Sequence, residues 1–329
     1  TPNPPYAIPL RLVGSEMCIR DRKNAEQAVL SNAEELMALC NSLPSTMIRL
    51  GGGCKRIETR LLDSLSGPML IAHIVVDCRD AMGANAVNTM AELIAPRLED
   101  ITGGRVHLRI LSNLAAYRLA RVRAVFTPEE ISEDGTHENG LTVIEGILEA
   151  QHFAMADPFR AATHNKGVMN AISSVAVACG QDWRAIEAGC HAWAAHSNEQ
   201  YGSMTMWEKD ADGNLVGSIE TPMAVGTVGG ASKVHPVAQA NLAILGVESA
   251  QELAGIIAAA GLSQNLGALR ALSTKGIQAG HMKLHARNMA VSAGAVGEEI
   301  EIVAARLQQA TGPKTQTLVG ELLEQLRKE

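Results

Sequence analysis

Apolar positions recur with a helical period along most of the chain and with a strand period in only a few short stretches. From Lys23, the residues Ala28, Leu30, Leu36, Leu39 and Cys40 fall at mixed three- and four-residue spacings, which predicts a helical segment that stops at Pro44. Gly51–Gly53 is a turn. Ile57–Leu62 and Met69–Val76 then read as two strands, the second apolar enough to be buried on both faces. Asp80–Leu98 is helical and ends at Thr102-Gly-Gly104, and Arg105–Leu111 alternates as a third strand. Helices on a small sheet with long crossovers predict an α+β unit over residues 23–112.

Further along, Ala115–Ala124 and Leu141–Ala154 read as helix or strand elements around the polar loop Thr127–Gly140. Helical stretches alternate with glycine-marked turns from Pro158 to Gly230. Amphipathic helices are expected at Pro236–Leu245 and Ala250–Ala260, and Gly276–Gly280 reads as a hinge. An Ala-rich helix, His281–Ala293, and two charged amphipathic helices, Glu298–Ala310 and Thr317–Lys328, complete the pattern. Thr1–Arg22 stands apart, with four prolines in its first nine residues and neither periodicity. It reads as a non-native leader outside the fold, the alternative being a natural flexible terminus.

Composition narrows the class. With 47% apolar and 19% charged residues, 329 residues can bury a sizeable core and accommodate two domains. Aromatic residues are only 3%, which argues against stacking platforms for bases. A net charge of −7 argues against a general nucleic-acid binder, while leaving room for a local basic pocket that holds an anionic ligand. The six cysteines form no CxxC pair and read as reduced thiols, as in a cytoplasmic protein. The longest apolar runs, near Ile71–Val76 and Leu253–Leu262, are shorter than the roughly 18 residues a membrane span needs.

Nucleotide fingerprints fail. No G-x-G-x-x-G lies between a strand and a helix, and Gly226-Thr-Val-Gly-Gly-Ala-Ser-Lys233 lacks the Gly-Lys-Ser/Thr ending of a P-loop. His281 and His285 are four apart on a predicted helix, but no third ligand is signalled, so no metal site is expected. Asp80-Ala-Met-Gly-Ala-Asn85 follows the apolar strand and opens a helix. It can offer backbone N–H groups to an anion, or Asp80 can be an ordinary N-cap. Lys166, in His164-Asn-Lys-Gly167, lies on an uncharged stretch and is a candidate oxyanion stabiliser. Asp182 could hold its charge if the fold brings the two together; a solvated lysine and an N-capping aspartate are the alternatives.

Taken together, Asp80-Ala-Met-Gly-Ala-Asn-Ala-Val-Asn-Thr-Met90, Ala162-Thr-His-Asn-Lys-Gly167, Gly226-Thr-Val-Gly-Gly-Ala231 and Gly280-His-Met-Lys-Leu-His-Ala-Arg-Asn288 resemble the bacterial class II hydroxymethylglutaryl-CoA (HMG-CoA) reductases. The resemblance runs from about Lys23 to the C-terminus. Beyond the leader at 1–22, it implies an α+β fold of three parts: a ferredoxin-like, non-Rossmann cofactor domain at 23–112, a helix-rich large substrate domain at 113–275 lacking its N-terminal part, and a C-terminal helical flap at 276–329. It implies NAD or NADP as cofactor, no metal, and a two-step, four-electron interconversion of HMG-CoA and mevalonate plus CoA. Carried over by position, Lys166 stabilises the carbonyl oxyanion, Asp182 tunes that lysine, and His281 protonates the departing CoA thiolate. Arg160 and Asn170 bind the HMG carboxylate and hydroxyl, and Gln264, Ala268 and Leu272 line the substrate pocket. Asp80, Met82, Gly83, Asn85 and Asn113 surround the dinucleotide. A cytoplasmic homodimer or higher homo-oligomer with its active site at the dimer interface is implied, with no nucleic-acid or membrane partner.

Two departures qualify the resemblance. The family's catalytic glutamate and a CoA-binding basic residue lie ahead of the cofactor domain, and Thr1–Arg22 offers no substitute. These 329 residues are therefore expected to bind cofactor yet turn over poorly. No acid stands in Leu43–Thr46 ahead of the Gly51–Gly53 turn, where some NAD-preferring members carry an aspartate, so NADP or dual use stays open; Arg49 is the nearest basic residue. The alternative to an enzyme is a non-catalytic dinucleotide-binding or assembly subunit that kept the fold.

Overall fold

The computed structural model describes residues 6–13, 19–65, 67–197, 200–274 and 276–328, with side chains described from Lys23 onward except at 277–284. β1 (Tyr6–Val13) is followed by α1 (Ile19–Ser31), α2 (Ala33–Asn41) and the single turn α3 (Thr46–Arg49). β2 (Gly53–Ser64) and β3 (Gly67–Asp77) form a hairpin, and α4 (Ala84–Thr102) connects it to β4 (Arg105–Arg109). The four strands make one sheet in the order β2-β3-β1-β4, with every neighbouring pair antiparallel.

The segment read as lacking periodicity therefore carries a strand between β3 and β4. Its apolar residues do alternate, at Tyr6, Ile8, Leu10 and Leu12, under a proline content that argued against a strand. Pairing with β4 begins only at Leu10, so Pro9 interrupts no ladder on that side. Leu70, Ala72, Ile74, Val75 and Val76 of β3 are buried, matching its continuous apolar run. Val29, Leu36 and Cys40 of the first two helices and Met90, Ile94 and Leu98 of α4 share one core with this sheet. The helix expected from Lys23 to Pro44 is broken at Asn32, whose side-chain amide donates to the Ala28 carbonyl at 2.8 Å.

A second, three-stranded antiparallel sheet combines β5 (Leu119–Phe126), β6 (Thr205–Lys209) and β7 (Leu215–Pro222) in the order β5-β7-β6. Between β5 and β6 run the short α5 (Pro128–Ile131), then α6 (His137–Ala156), α7 (Pro158–Ala178) and α8 (Trp183–His196). After β7 come the short α9 (Ala231–Val234), α10 (Pro236–Leu245), α11 (Ala250–Ser273), α12 (Ile277–Ser292), α13 (Glu299–Gln309) and α14 (Gln316–Lys328). The β6–β7 hairpin lies inside the stretch read as helices and turns. β7 is buried at most positions on both faces and so carries no period-two signal. A Cβ at Gly217 would stand 2.7 Å from a Trp207 ring atom, so the strand glycine makes room for the largest buried side chain.

The chain divides into two compact units, residues 1–127 with 151–266, and residues 128–150 with 267–329. Residues 23–112 lie wholly in the first and residues 276–329 wholly in the second. Within the second unit, Ala286, Met289 and Ala290 of α12 pack with Val303 and Leu307 of α13 and Val319 and Leu323 of α14. Arg327 fastens this bundle through Glu299 at 2.8 Å and the Gly294 carbonyl at 2.9 Å. No single described helix is long and apolar enough to cross a membrane.

Candidate functional site

The apolar β3 delivers the chain to a tight turn at Cys78–Gly83. Gly83 takes φ 101°, a conformation glycine adopts without strain, and it is the N-cap of α4. It has no side chain to cap with, so the first backbone N–H groups of α4 keep neither an intrahelical nor a side-chain partner. Asp80 is thus not the N-cap of this helix. Its carboxylate accepts instead from the Ala250 N–H, 2.9 Å away at the start of α11. That charge at a helix N-terminus ties the turn to α11.

A glycine-rich loop closes over the turn. The Asp80 carbonyl accepts from the N–H groups of Thr227 (2.9 Å) and Val228 (3.3 Å), and Ala81 and Val228 form a parallel bridge. A Cβ on Gly226 would meet the Met82 nitrogen at 2.5 Å and the Ala81 carbonyl carbon at 2.9 Å, so only glycine fits there. Gln181, at the α7–α8 junction, clamps the same residue: its Nε2 donates to the Gly226 carbonyl (3.0 Å) and its Oε1 accepts from the Gly226 N–H (2.9 Å). Buried Arg118 donates to the carbonyls of Ala81 (2.9 Å), Met82 (3.1 Å) and Val225.

These three segments enclose a cleft of about 460 Å³, lined by Ala81–Ala86, Gly180–Asp182 and the loop at Gly226 and Val228–Ser232. Met82, Gly83, Asn85 and Asp182 of the sequence-derived site residues meet here. Gly229 and Gly230 have positive φ and open space where a Cβ would stand. Asp182 accepts from the Ala185 N–H at 3.1 Å as the N-cap of α8. The cleft therefore offers free helix-terminal N–H groups and side-chain-free backbone, which suits a bulky anion. Asn113 is not in this lining; it is exposed on the β4–β5 loop, where a Cβ on Gly189 would meet its carbonyl oxygen at 2.5 Å.

Lys166 and Asn170 lie elsewhere, on an exposed stripe of α7 with Phe159, Ala162 and Thr163. Lys166 precedes the end of α7 by 12 residues, about 18 Å along the axis, so the fold does not bring Asp182 to it within one chain. Arg160 is half-buried, and burial lowers its pKa. Gln264, Ala268 and Leu272 recur every fourth residue along one stripe of α11, with Gln264 and Leu272 exposed. His281 lies on α12, but its side chain is outside the described residues; His285, one turn on, is exposed. Among the described residues no group of three or more His, Cys, Asp or Glu converges as a metal cage would require. Cys40, Cys54, Cys78, Cys179 and Cys190 are all free and buried.

Sequence reasoning did not give Gln181 or Arg118 a role. The glycine pattern at Gly226–Gly230 was the available signal for the loop, but it fits no phosphate-loop ending.

The family model for hydroxymethylglutaryl-coenzyme A reductase matches residues 14–286, beginning inside the segment expected as a leader. A 3-hydroxy-3-methylglutaryl-coenzyme A reductase of Archaeoglobus fulgidus is 54% identical over 303 residues, covering 92% of this chain and 67% of the relative. A probable 3-hydroxy-3-methylglutaryl-coenzyme A reductase of Borreliella burgdorferi is 33% identical, covering 82% of this chain and 62% of its own length. The chain thus spans about two thirds of these relatives. The class II reductase of Streptococcus pneumoniae, solved bound to NADPH in open conformations, superposes with a TM-score of 0.78 at 36% identity. That match covers 99% of this chain and 77% of the solved one.

Proposed function

The chain belongs to the hydroxymethylglutaryl-coenzyme A reductase family, and from that premise we propose that it carries out the nicotinamide-dependent interconversion of HMG-CoA with mevalonate and free CoA. The observation that carries the reading is the meeting of Ala81–Ala86, Gly180–Asp182 and the loop at Gly226 and Val228–Ser232 around one cleft. Two of the four recognised motifs converge there beside the free end of α4. The donor set fits a dinucleotide pyrophosphate: uncapped N–H groups of α4, and backbone without side chains at Gly229 and Gly230 in the lining. A bound NAD or NADP supplies or accepts the hydride. Asp80, Met82, Gly83 and Asn85 would hold it, with Asn113 contributing from outside the cleft lining. The element order β1-α1-α2-α3-β2-β3-α4-β4, with the sheet order β2-β3-β1-β4, supports a ferredoxin-like rather than a Rossmann cofactor domain.

On the substrate side, Lys166 stabilises the carbonyl oxygen during hydride transfer, Arg160 holds the HMG carboxylate and Asn170 the hydroxyl. Gln264, Ala268 and Leu272 line the acyl pocket, and their single stripe on α11 supports that role. His281 protonates the CoA thiolate, and residues 276–329 act as a flap. Because Asp182 lies beyond the end of α7, itself about 18 Å along the axis from Lys166, it tunes the lysine of a second chain, in a cytoplasmic homodimer with its active sites at the interface. Phe159, 88% exposed on the Lys166 stripe, supports a partner there.

The protein should reduce NAD(P) when given mevalonate and CoA. Lys166→Ala should lower this by about 10²–10³-fold while leaving dinucleotide binding intact. Full activity in that variant would overturn the roles assigned here. Dinucleotide binding without any turnover would favour the assembly-subunit alternative.

A further inference from the structure

Asp80 opens the motif of the dinucleotide turn, yet the cleft lining begins one residue later, at Ala81. Its polar contacts run to two other segments. The carbonyl accepts from the Thr227 and Val228 N–H groups of the glycine loop, and the carboxylate accepts from the Ala250 N–H at 2.9 Å. A carboxylate aimed into a cleft for a pyrophosphate would repel it. Here the charge rests instead on the N-terminus of α11, whose dipole stabilises it.

The start of α11 is also closed by its own residues. Ser249 Oγ accepts from the Glu252 N–H at 3.2 Å, and Glu252 Oε2 accepts from the Glu248 N–H at 2.7 Å, in the manner of a capping box. The bond from a carboxylate 170 positions earlier adds what local capping does not: it fixes where the helix begins relative to the turn. Close packing does not fully fix that place. A cavity of about 190 Å³ is lined by Arg118–Arg121 and Met223 together with Ala250 and Ala254 of α11. Arg118 borders this cavity while its guanidinium holds the Ala81 and Met82 carbonyls of the cleft wall. Gln264 follows Ala250 by 14 residues on the same continuous helix, about 21 Å along the axis, so a shift at the helix start reaches it. All of these residues belong to the first compact unit.

We propose that Asp80 serves the dinucleotide as a positioning residue, without touching it: its carboxylate ties the turn that walls the cleft to the start of α11, so that filling the cleft fixes Gln264 in place for the acyl group. The inference rests on the roles proposed above for the cleft and for Gln264. It makes the two ligands cooperative. By linkage, a dinucleotide that fixes α11 raises the affinity for HMG-CoA, and HMG-CoA raises that for the dinucleotide by the same factor.

The bond can be cut from either end. Asp80→Ala removes the acceptor. Ala250→Pro removes the donor at the first helical position, where proline is favoured and the cavity adjoins. Asp80→Asn keeps an acceptor oxygen. Hydrogen exchange comes first, with and without saturating NADH or NADPH. In the wild type, dinucleotide should slow exchange of the amides of residues 251–257 at least threefold. Asp80→Ala and Ala250→Pro should lose that response, and Asp80→Asn should keep it. Wild-type amides that do not respond, or cut variants that respond as the wild type does, overturn the tie. In turnover, each cut should raise the KM for HMG-CoA at least fivefold, with the Kd for NADPH alone within threefold. The double variant should be no worse than the worse single one, and Asp80→Asn should recover most of the loss. A Kd for NADPH raised tenfold in Asp80→Ala but not in Ala250→Pro overturns the proposal and makes Asp80 a ligand. A wild type that binds dinucleotide without turnover overturns the role of Gln264, and exchange alone then decides the tie. A wild type that binds neither dinucleotide overturns both.

Discussion

Gly226→Ala is the sharpest probe of the cleft, because its effect is steric and computable. The new methyl would stand 2.5 Å from the Met82 nitrogen, 2.9 Å from the Ala81 carbonyl carbon and 3.1 Å from the Asp80 carbonyl oxygen. All three are backbone atoms, so no flexible side chain can yield. Restoring van der Waals separation of about 3.5 Å requires the loop and the turn to part by about 1 Å. That parting would stretch the two Gln181–Gly226 bonds (3.0 and 2.9 Å) and the Thr227–Asp80 bond (2.9 Å) beyond useful length. At about 1 kcal/mol net for each bond, the loss is about 3 kcal/mol. Urea unfolding followed by circular dichroism should show a destabilisation of this size, and NAD(P)H fluorescence titration should show a Kd raised at least tenfold. Gly229→Ala is the control. At φ +80° with nothing within 4 Å, it meets backbone strain of about 1 kcal/mol but no clash, at a residue that lines the cleft. It should weaken dinucleotide binding with a smaller loss of stability. Wild-type stability and affinity in Gly226→Ala would refute the loop–turn contact as the wall of the cleft.

Gln181→Leu removes both bonds to Gly226 and one to the Cys179 carbonyl at 3.0 Å. It should loosen the same wall and raise the dinucleotide Kd several-fold, read by the same titration. The lowered pKa of His164 sets a pH dependence with a definite sign. The unfolded chain takes up this proton below about pH 6.5 and the folded chain only near 4, so stability falls as pH drops across that window, by up to about 3 kcal/mol. His164→Gln should flatten the slope measured by denaturation at stepped pH; an unchanged slope would refute the assignment. In the C-terminal bundle, the Arg327 guanidinium holds the Glu299 carboxyl down to about 2. Arg327→Ala should let Glu299 titrate near the ordinary carboxylate range, visible in carboxyl carbon shifts.

The helices and the hairpin of the first sheet were legible because their apolar positions contrast with polar neighbours. β3 reads as a buried strand from its composition alone, and α10, Pro236–Leu245, ends where the glycine at 246 takes φ 63°. Contrast fails in two ways elsewhere. β1 alternates correctly, but prolines at 2, 4, 5 and 9 mask it. β7 has too little exposed surface to alternate at all.

The site divides along similar lines. The turn after β3 and the glycine loop are legible separately, since each shows glycine where backbone must come close. Their meeting is not, because it depends on Gln181 and Arg118, two side chains acting on backbone far away in sequence. On α7 the difficulty is an Ala-rich helix in which small residues occupy both faces, so the period does not say which polar residue points inward. Lys166 reads as a charge in dry surroundings because its neighbours are uncharged, whereas the fold turns His164 and Asn165 inward and leaves the lysine exposed. The desolvation that would strengthen an oxyanion contact must then come from whatever covers that stripe. A lysine facing out of its own chain, with Asp182 beyond a helix end about 18 Å away, is what a site completed by a second subunit requires. Dilution should therefore abolish turnover before it abolishes dinucleotide binding, because the cleft of Ala81–Ala86, Gly180–Asp182 and the Gly226–Ser232 loop is built within one chain. Activity that persists through dissociation to monomers would refute that arrangement.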